Sequence, residues 1–239
     1  MGNKVKLFDV DIDDLTKSGA LGIVDAALNK KDKMFIATLN PEIVMYANSN
    51  PGYLRAIQAA DLKVADGIGL VVGARILGLP LKERIPGIEL MEEMLKMASA
   101  KKLRVFLYGA KPAVLAKLVE VLNEKYPGIQ VVGDRDGYHG NGRQAADHVI
   151  ESKPDMTFVA LGFPKQEQWI YDHLPEFPDG VYMGVGGSFD VLSGTIKRAP
   201  LFWRKLNLEW LYRLLRQPSR FKRFLVIPQF LLKVLKSRK

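Results

Sequence analysis

Short apolar runs alternate with amphipathic segments up to about residue 190, and this rhythm restricts the possible folds more than any other feature of the chain. Most of the runs are apolar without interruption, which is typical of strands that are buried on both faces. Such strands, alternating with helical segments, predict an α/β fold with a mostly parallel, Rossmann-like sheet covered by helices. The predicted strands are 34–39, 62–65, 103–108, 129–132, 156–161 and 181–185.

The segments between these runs have apolar residues at helical spacing. Two more helical patterns follow near the C-terminus, at 201–216 and 220–236. We therefore expect two parts: an α/β catalytic domain over 1–196 and a basic helical appendage over 197–239. The helices predicted within the first part are 43–60, 69–79, 88–100, 112–126, 143–152 and 165–174.

The positive charge of the chain is concentrated in the second part. Residues 197–239 contain 13 Lys and Arg and one acidic residue, whereas the other residues contain 22 basic and 25 acidic groups. This asymmetry indicates a polyanionic partner: nucleic acid, anionic lipid or a phosphorylated substrate. Phe and Leu are interleaved with Arg213, Arg216, Arg220 and Arg223, which favours helices lying on an anionic membrane surface. The apolar face of these helices also makes a homo-oligomer an expected form of the protein.

Several properties bear on where the protein acts. The chain has no cysteine, so disulfide frameworks and thiolate metal sites are excluded. Its N-terminal segment lacks the apolar core of a signal peptide, and it has no run of about 18 apolar residues for a membrane-spanning helix. We expect a cytoplasmic protein that binds peripherally to the inner face of the cell membrane.

Asp66 lies in A-D-G, directly after the second predicted strand. Ligands of parallel α/β sheets bind at the carboxyl ends of the strands, where a carboxylate can take a proton from a substrate hydroxyl group. The same side chain can instead cap the helix that follows. The sequence leaves both roles open.

Thr38, Asn40 and Arg84 also follow strands or lie in loops near them. Thr38 and Asn40 share one face of an extended segment, so both can bind a sugar, but Asn40 followed by proline is also an ordinary helix start. Arg84 in K-E-R-I-P-G can bind a diphosphate through two hydrogen bonds. A solvated loop arginine is the alternative.

Two further motifs concern phosphate and metal binding. The loop G-V-G-G-S-F-D at 184–190 can offer backbone N–H groups to a phosphate. Phe189 stands where the dinucleotide-binding fingerprint requires its third glycine, so that fingerprint is absent. Asp134 and Asp136 form a D-x-D pattern, which can hold a divalent metal, but a glycine-flanked turn explains it equally well. We expect neither a metal nor a cofactor.

Together these motifs resemble the WecG/TagA/CpsF family of bacterial glycosyltransferases. The similar blocks occur in the order that the family has, over roughly residues 35–224. They are T-L-N-P-E, A-D-G-I-G-L-V, E-R-I-P-G, L-G-F-P-K-Q-E-Q-W, G-V-G-G-S-F-D, R-A-P, L-E-W-L-Y-R and Q-P-S-R-F-K-R.

The resemblance implies an inverting transferase that moves N-acetylmannosamine from a UDP donor to N-acetylglucosamine on undecaprenyl diphosphate. This step makes the linkage unit of teichoic acid, and the short chain and basic tail resemble that branch of the family. Relatives in other branches transfer the uronic acid form of the sugar for enterobacterial common antigen, or other sugars for capsules.

The resemblance also implies roles for individual residues. Asp66 would be the catalytic base, and Arg84 would hold the diphosphate as negative charge develops on it. We add the hypothesis that the tail partly closes the pocket and that Arg213, Arg216 or Arg220 reaches the acceptor diphosphate. The residues expected to line the substrate pocket are Thr38, Asn40, Gln166, Gln168, Gly109, Tyr138, Gly186, Gly187 and Asp190.

Two other classes of protein remain as alternatives. A nucleic-acid-binding protein would explain the basic tail. It would leave Asp66 and the loops rich in acids and amides without a function, so we expect no nucleic acid partner. An α/β oxidoreductase would need the dinucleotide fingerprint that the chain lacks.

Overall fold

The computed structural model describes residues 3–216 and 225–237. Its centre is a six-stranded sheet in which all neighbouring strands are parallel. This confirms the parallel α/β class and all six strands expected from the apolar runs, with shifted ends. The strands are β1 (Lys4–Leu7), β2 (Val10–Asp13), β3 (Lys33–Leu39), β4 (Leu62–Ala65), β5 (Arg104–Gly109), β6 (Gln130–Arg135), β7 (Met156–Ala160) and β8 (Gly180–Gly184), and the sheet order is β4-β3-β8-β7-β5-β6.

Helices cover both faces of this sheet and bury two separate apolar cores. Phe35 and Leu39 of β3 belong to one core and Met34 and Ile36 to the other, as the alternation of side chains along a strand requires. The helices are α1 (Lys17–Lys30), α2 (Pro41–Ser49), α3 (Pro51–Gln58), α4 (Ile68–Ile76), α5 (Gly87–Lys101), α6 (Pro112–Lys125), α7 (Gly142–Ser152), α8 (Lys165–His173), α9 (Ser188–Leu192), α10 (Leu201–Lys205), α11 (Glu209–Arg216) and α12 (Val226–Ser237).

No strand or helix was predicted before residue 34, but the structure has two strands and a helix there. Strands β1 and β2 form an antiparallel hairpin, and α1 follows with Thr16 as its N-cap. Val5, Leu7, Val10 and Ile12 of the hairpin are buried, with polar residues between them. This period of two in K-V-K-L and V-D-I-D is the signal that identifies such strands.

Two predicted helices are wrong because each is divided in the structure. The segment 43–60 contains the end of α2 and the whole of α3, since Pro51 has no backbone N–H and disfavours helical geometry in Asn50 before it. The segment 201–216 is divided into α10 and α11. Asn207, which has a left-handed φ of 57°, lies between them.

The last predicted helix, 220–236, is described only from residue 225 onward. There α12 begins at Val226 and contains Pro228 as its third residue. The first N–H groups of a helix have no partner within the helix, so a proline is tolerated at this position.

Helix α12 packs against α2 and α4. Phe230 and Val234 are fully buried, and a Cβ atom on Gly73 of α4 would lie only 2.7 Å from the Phe230 ring. Phe230 also meets Phe8 of the hairpin edge-to-face, at 5.9 Å between ring centroids. The division of the chain at residue 197 stays a prediction, although α12 shares a core with the sheet. Within the described residues, no helix combines the length and apolar composition needed to cross a membrane.

Candidate active site

A cavity of about 320 Å³ opens at the carboxyl edge of the sheet, where β3, β4 and β8 end. This is the edge at which parallel α/β sheets bind ligands. The cavity brings together residues that lie far apart in the sequence. The predicted site residues that line it are Thr38, Asn40, Asp66, Arg84, Gln166, Gly186 and Gly187.

Asp66 and Arg84 form the charged centre of the cavity. Asp66 Oδ1 accepts a hydrogen bond from the backbone N–H of Gly87, at 3.1 Å. Arg84 Nε donates to the main-chain oxygen of Asp66 at 2.5 Å, and Arg84 Nη2 lies 3.9 Å from Asp66 Oδ1. The Asp66 side chain is 33% exposed. The carboxylate is therefore fixed next to a cation and is still accessible to a substrate.

The sequence left a purely structural role open for Asp66, Asn40 and Arg84, and the structure gives a different answer for each. Asp66 does not cap α4, because the N-cap is Gly67 and the Asp66 carboxylate binds the start of α5 instead. Arg84 is not a solvated loop residue, since its side chain is only 17% exposed. Asn40 does cap α2, with Oδ1 accepting from Ile43 N at 3.0 Å, and it lines the cavity as well.

Close packing explains the glycines of the A-D-G-I-G motif. Cβ atoms on Gly67 and Gly69 would each lie 2.7 Å from the ring of Pro41. Only glycine lets the start of α4 approach the start of α2 this closely. Thr38 is held nearby, because its Oγ1 donates to the carbonyl oxygen of Gly184 at 3.4 Å. The motif thus places Asp66 beside Thr38 and Asn40.

Gln166 joins the loops that follow β7 and β8. Its Oε1 accepts from Gly186 N at 2.9 Å and from Gly162 N at 3.2 Å. Its Nε2 donates to Glu167 Oε1 at 2.6 Å. Gln166 is almost completely buried, and a Cβ atom on Gly184 would lie 2.7 Å from its Nε2. Its carboxamide is therefore committed mainly to the protein.

Glu167 is missing from the predicted site residues, although it lies inside the P-K-Q-E-Q motif. It is fully buried, and its Oε2 accepts from Tyr53 Oη at 3.0 Å. Burial raises the pKa of Glu167 above its ordinary value, and burial also raises the pKa of Tyr53. The sequence feature that could have pointed to Glu167 is an acidic residue between two glutamines.

The C-terminal part of the chain supplies another wall of the cavity, formed by Asn207, Glu209, Trp210 and Ile227. Arg84 Nη1 donates to Asn207 Oδ1 at 3.3 Å, and Arg84 Nη2 lies 3.9 Å from Glu209 Oε2. These residues were not predicted individually. The hypothesis that the tail closes part of the pocket fits their position.

Comparison with known proteins identifies the family of this chain. The profile of the "Glycosyl transferase WecG/TagA/CpsF family" matches residues 5–239. The chain belongs to this family. An N-acetylglucosaminyldiphosphoundecaprenol N-acetyl-beta-D-mannosaminyltransferase from Bacillus spizizenii is 45% identical over 212 residues, covering 89% of this chain and 82% of the relative. The protein of that name from Staphylococcus aureus (strain MW2) is 40% identical over 238 residues, 99% and 94% of the two chains.

Some predicted pocket residues of this WecG/TagA/CpsF family member lie outside the cavity that contains Asp66. Gln168 lines a second, more open cavity of about 670 Å³, together with several aromatic side chains. The segment 161–164 lies between the two cavities and lines both. Gly109 and Tyr138 are sequence neighbours of residues that line the second cavity, and Tyr138 is 67% exposed. Asp190 lies in the first turn of α9.

The four predicted tail arginines are only partly described. Arg213 and Arg216 belong to α11, and the guanidinium of Arg216 lies 5.7 Å from the centre of the Tyr212 ring. Arg220 and Arg223 lie outside the described residues.

The D-x-D pattern of this family member includes a turn. Asp136 Oδ1 accepts from the backbone N–H groups of Tyr138 and His139, at 2.8 and 2.9 Å. Within the residues described, 3–216 and 225–237, no three acidic or histidine side chains are grouped as metal ligands.

Proposed function

We propose that this chain transfers N-acetylmannosamine from UDP-N-acetylmannosamine to N-acetylglucosamine on undecaprenyl diphosphate, with inversion at the anomeric carbon. Membership of the family and the activity for which its relatives are named support this reaction. The observation that carries it is the presence of Asp66 and Arg84 in one cavity at the carboxyl edge of the sheet. A carboxylate and a guanidinium are the base and the diphosphate ligand that such a transfer needs.

Asp66 acts as the general base in a single displacement. The acceptor hydroxyl group gives its proton to the Asp66 carboxylate while its oxygen forms a bond to the anomeric carbon. The bond between that carbon and the UDP oxygen breaks, and its electron pair leaves with UDP. The hydrogen bond from Gly87 N and the nearby Arg84 hold the carboxylate in place for this step.

Arg84 stabilises the negative charge that develops on the departing diphosphate. Its Nε is bound to the main chain of Asp66, so the base and the cation keep a fixed spacing. Its Nη atoms lie near Asn207 and Glu209, toward the C-terminal wall. Thr38 and Asn40 bind the transferred sugar beside Asp66, and Gly186 and Gly187 frame the UDP.

The C-terminal helices bind an anionic membrane surface at the cytoplasmic face. Leu201 and Phe202 of α10 are exposed, as are Leu206 directly after it and Leu232 and Leu235 of α12, and basic residues are interleaved with them. Each basic group near such a surface contributes about 1 kcal/mol to binding. Attachment brings the cavity to an acceptor that stays in the bilayer. The same apolar surface supports a homo-oligomer when no membrane is present.

The reaction is tested by incubating the protein with UDP-N-acetylmannosamine and a lipid-diphosphate N-acetylglucosamine acceptor. We expect product from the wild type and a loss of about 10²-fold or more in Asp66→Asn. Asp147→Asn, which changes a surface ion pair with Arg143, is the matched control and should keep its activity.

The other outcomes separate the alternatives. Equal rates for wild type and Asp66→Asn would remove Asp66 as the base but keep the reaction. No product with UDP still bound would point to another donor, such as the uronic acid form of the sugar. A protein that binds no UDP would contradict the glycosyltransferase assignment.

Membrane binding is tested by sedimentation with anionic and with neutral liposomes at physiological salt. We expect binding to the anionic liposomes only, and no binding to duplex DNA under the same conditions. The reverse preference would favour the nucleic-acid-binding alternative.

A further inference from the structure

Glu167 is a buried carboxyl group for which the proposed reaction provides no use. Its side chain has no exposed surface, so no substrate can reach it. It is nevertheless well supplied with donors: Gln166 Nε2 at 2.6 Å and Tyr53 Oη at 3.0 Å. Burying a carboxyl group is unfavourable even with such partners. Its effect must therefore be sought in the groups that it touches.

The contact with Gln166 selects one orientation of the Gln166 carboxamide. In this orientation Oε1 accepts from the N–H groups of Gly162 and Gly186, and Nε2 donates to Glu167. In the opposite orientation, Nε2 would face two N–H donors and Oε1 would face the oxygen of Glu167. All three hydrogen bonds would then be lost. Glu167 thus acts as the acceptor that makes one orientation the only favourable one.

The two N–H groups that Gln166 binds belong to loops that line the cavity. Gly162 and Gly186 have φ values of 75° and 51°, a left-handed geometry that favours glycine. Gln166 is the side chain that ties these loops together. Since Gly186 lies in the loop expected to frame the UDP, a change in its position would alter the donor site.

We propose that Glu167 is a positioning residue for the donor site. It fixes the carboxamide of Gln166, and Gln166 in turn fixes the loops at Gly162 and Gly186. Glu167 does not touch the substrate and acts only through Gln166. The inference rests on the proposed function, because the ligand of the Gly186 loop is taken to be a UDP-sugar.

A donor–acceptor swap between neighbouring residues tests this proposal. Gln166→Glu keeps the size of the side chain but replaces the donor facing Glu167 with a second carboxylate oxygen. Two ionised carboxylate oxygens repel each other at 2.6 Å and can stay there only by sharing a proton, so the loops shift as the pH rises and that proton is lost. We expect the affinity for UDP to fall by about 10-fold, and kcat/KM for the UDP-sugar by about 10²-fold.

The double variant Gln166→Glu, Glu167→Gln restores the pairing in reverse. The new carboxylate accepts from Gly162 and Gly186, and the new amide donates to it. We expect the UDP affinity to return to within about 3-fold of wild type. Packing alone does not predict this rescue, because the side-chain volumes are nearly the same in all variants. Gln58→Glu, an exposed glutamine on α3, is the matched control and should leave UDP affinity unchanged.

UDP affinity, measured by calorimetry on each folded variant, decides the result. The proposal is overturned if Gln166→Glu binds UDP like the wild type, or if the double variant binds no better than the single one. If Gln166→Glu does not fold, Glu167→Met removes only the acceptor. The proposal then requires a loss of about 5-fold or more in UDP affinity, and unchanged affinity overturns it.

Measuring UDP affinity also distinguishes a failure of this proposal from a failure of the proposed function. A wild type that binds UDP but transfers no sugar would contradict the proposed reaction, while the UDP affinities of the variants would still decide the role of Glu167. A wild type that transfers sugar, with variants that bind UDP normally, would contradict only the role of Glu167.

Discussion

The two walls of the active-site cavity are built in different ways. The sheet wall holds Thr38 and Asp66 at the carboxyl ends of parallel strands and Arg84 in the loop before α5, and a hydrogen bond to the main chain fixes each of these side chains. The tail wall, with Asn207 and Glu209, comes from short helices beyond the sheet. The groups proposed to react therefore belong to the sheet wall, and Asn207 and Glu209 of the tail wall lie against one of them, Arg84.

The tail itself combines two kinds of surface. Helix α10 exposes Leu201 and Phe202 and has no buried residue, whereas α12 buries Phe230 and Val234 against α4. Helix α12 is thus the part of the tail that packs into a core of the sheet, and it contributes Ile227 to the tail wall. In the proposed membrane-bound form, a tail that is fixed in this way keeps the cavity at a set distance from the bilayer.

The largest effect is expected from Phe230→Ala, which removes the ring by which α12 packs against α4 and the hairpin. Because Phe230 is fully buried, the free energy of unfolding should fall by about 3–5 kcal/mol, as measured by urea denaturation. Phe202→Ala is the matched control on α10, where the ring is 68% exposed, and should change stability by less than about 0.5 kcal/mol. Equal stability of the two variants would contradict the anchoring role of α12.

Arg84→Gln comes next, because Arg84 is the residue that both walls share. We expect kcat to fall by about 10²-fold, since the charge proposed to stabilise the leaving diphosphate is lost. Arg198→Gln is the control: Arg198 pairs with Glu89 and Glu92 on α5, so its loss should reduce stability but leave kcat within about 3-fold of wild type. If both variants lost the same activity, Arg84 would have only a structural role.

The sheet wall was largely predictable and the tail wall was not, for a physical reason. Strands buried on both faces produce uninterrupted apolar runs, and a ligand site at their carboxyl ends follows from the topology alone. Asp66 and Asn40 were found by that rule. The contacts of Asn207 and Glu209 with Arg84 depend on a left-handed residue between α10 and α11 and on side-chain pairing between loops far apart in the sequence. Neither leaves a periodic pattern.

The Q-E-Q sequence at 166–168 shows, within a single motif, side-chain positions that a sequence pattern does not predict. Helical residues two positions apart point in directions about 200° apart. Gln166 therefore lines the cavity with Asp66, while Gln168 lines the second cavity. The resemblance implied a substrate role for both glutamines, and a role for Gln168 at the second cavity stays a prediction. Full burial of Glu167 could not be inferred, because glutamate is rarely buried without a partner.

Glu209→Gln tests how strongly the tail wall influences the reacting groups. The Arg84 Nη2 to Glu209 Oε2 distance of 3.9 Å is long for an ion pair. Because glutamine keeps the size of the side chain and a hydrogen-bonding oxygen, and because the two charges lie far apart, the substitution should change kcat/KM by less than about 10-fold, well below the effect of Arg84→Gln. A loss as large as that of Arg84→Gln would show that the two walls act as one unit, and the distinction between them would fail.

The smallest effect concerns Glu167, beneath the sheet wall, and it appears as a dependence of stability on pH. Burial raises the pKa of Glu167 above its ordinary value of 4.5, so the folded protein resists its ionisation. Well below pH 4.5 the group is protonated in both the folded and the unfolded state, and it contributes no pH dependence. As the pH rises further, the unfolded chain loses this proton more readily, so the wild type loses stability relative to Glu167→Gln. We therefore expect the difference in free energy of unfolding, Glu167→Gln minus wild type, to increase between about pH 4 and about pH 8, and urea denaturation at both pH values measures it.

Other titrating groups are common to both proteins and cancel in the difference. A difference that stays constant with pH would mean that Glu167 ionises in the folded protein as easily as in water, and its hydrogen bonds would then fully offset its burial.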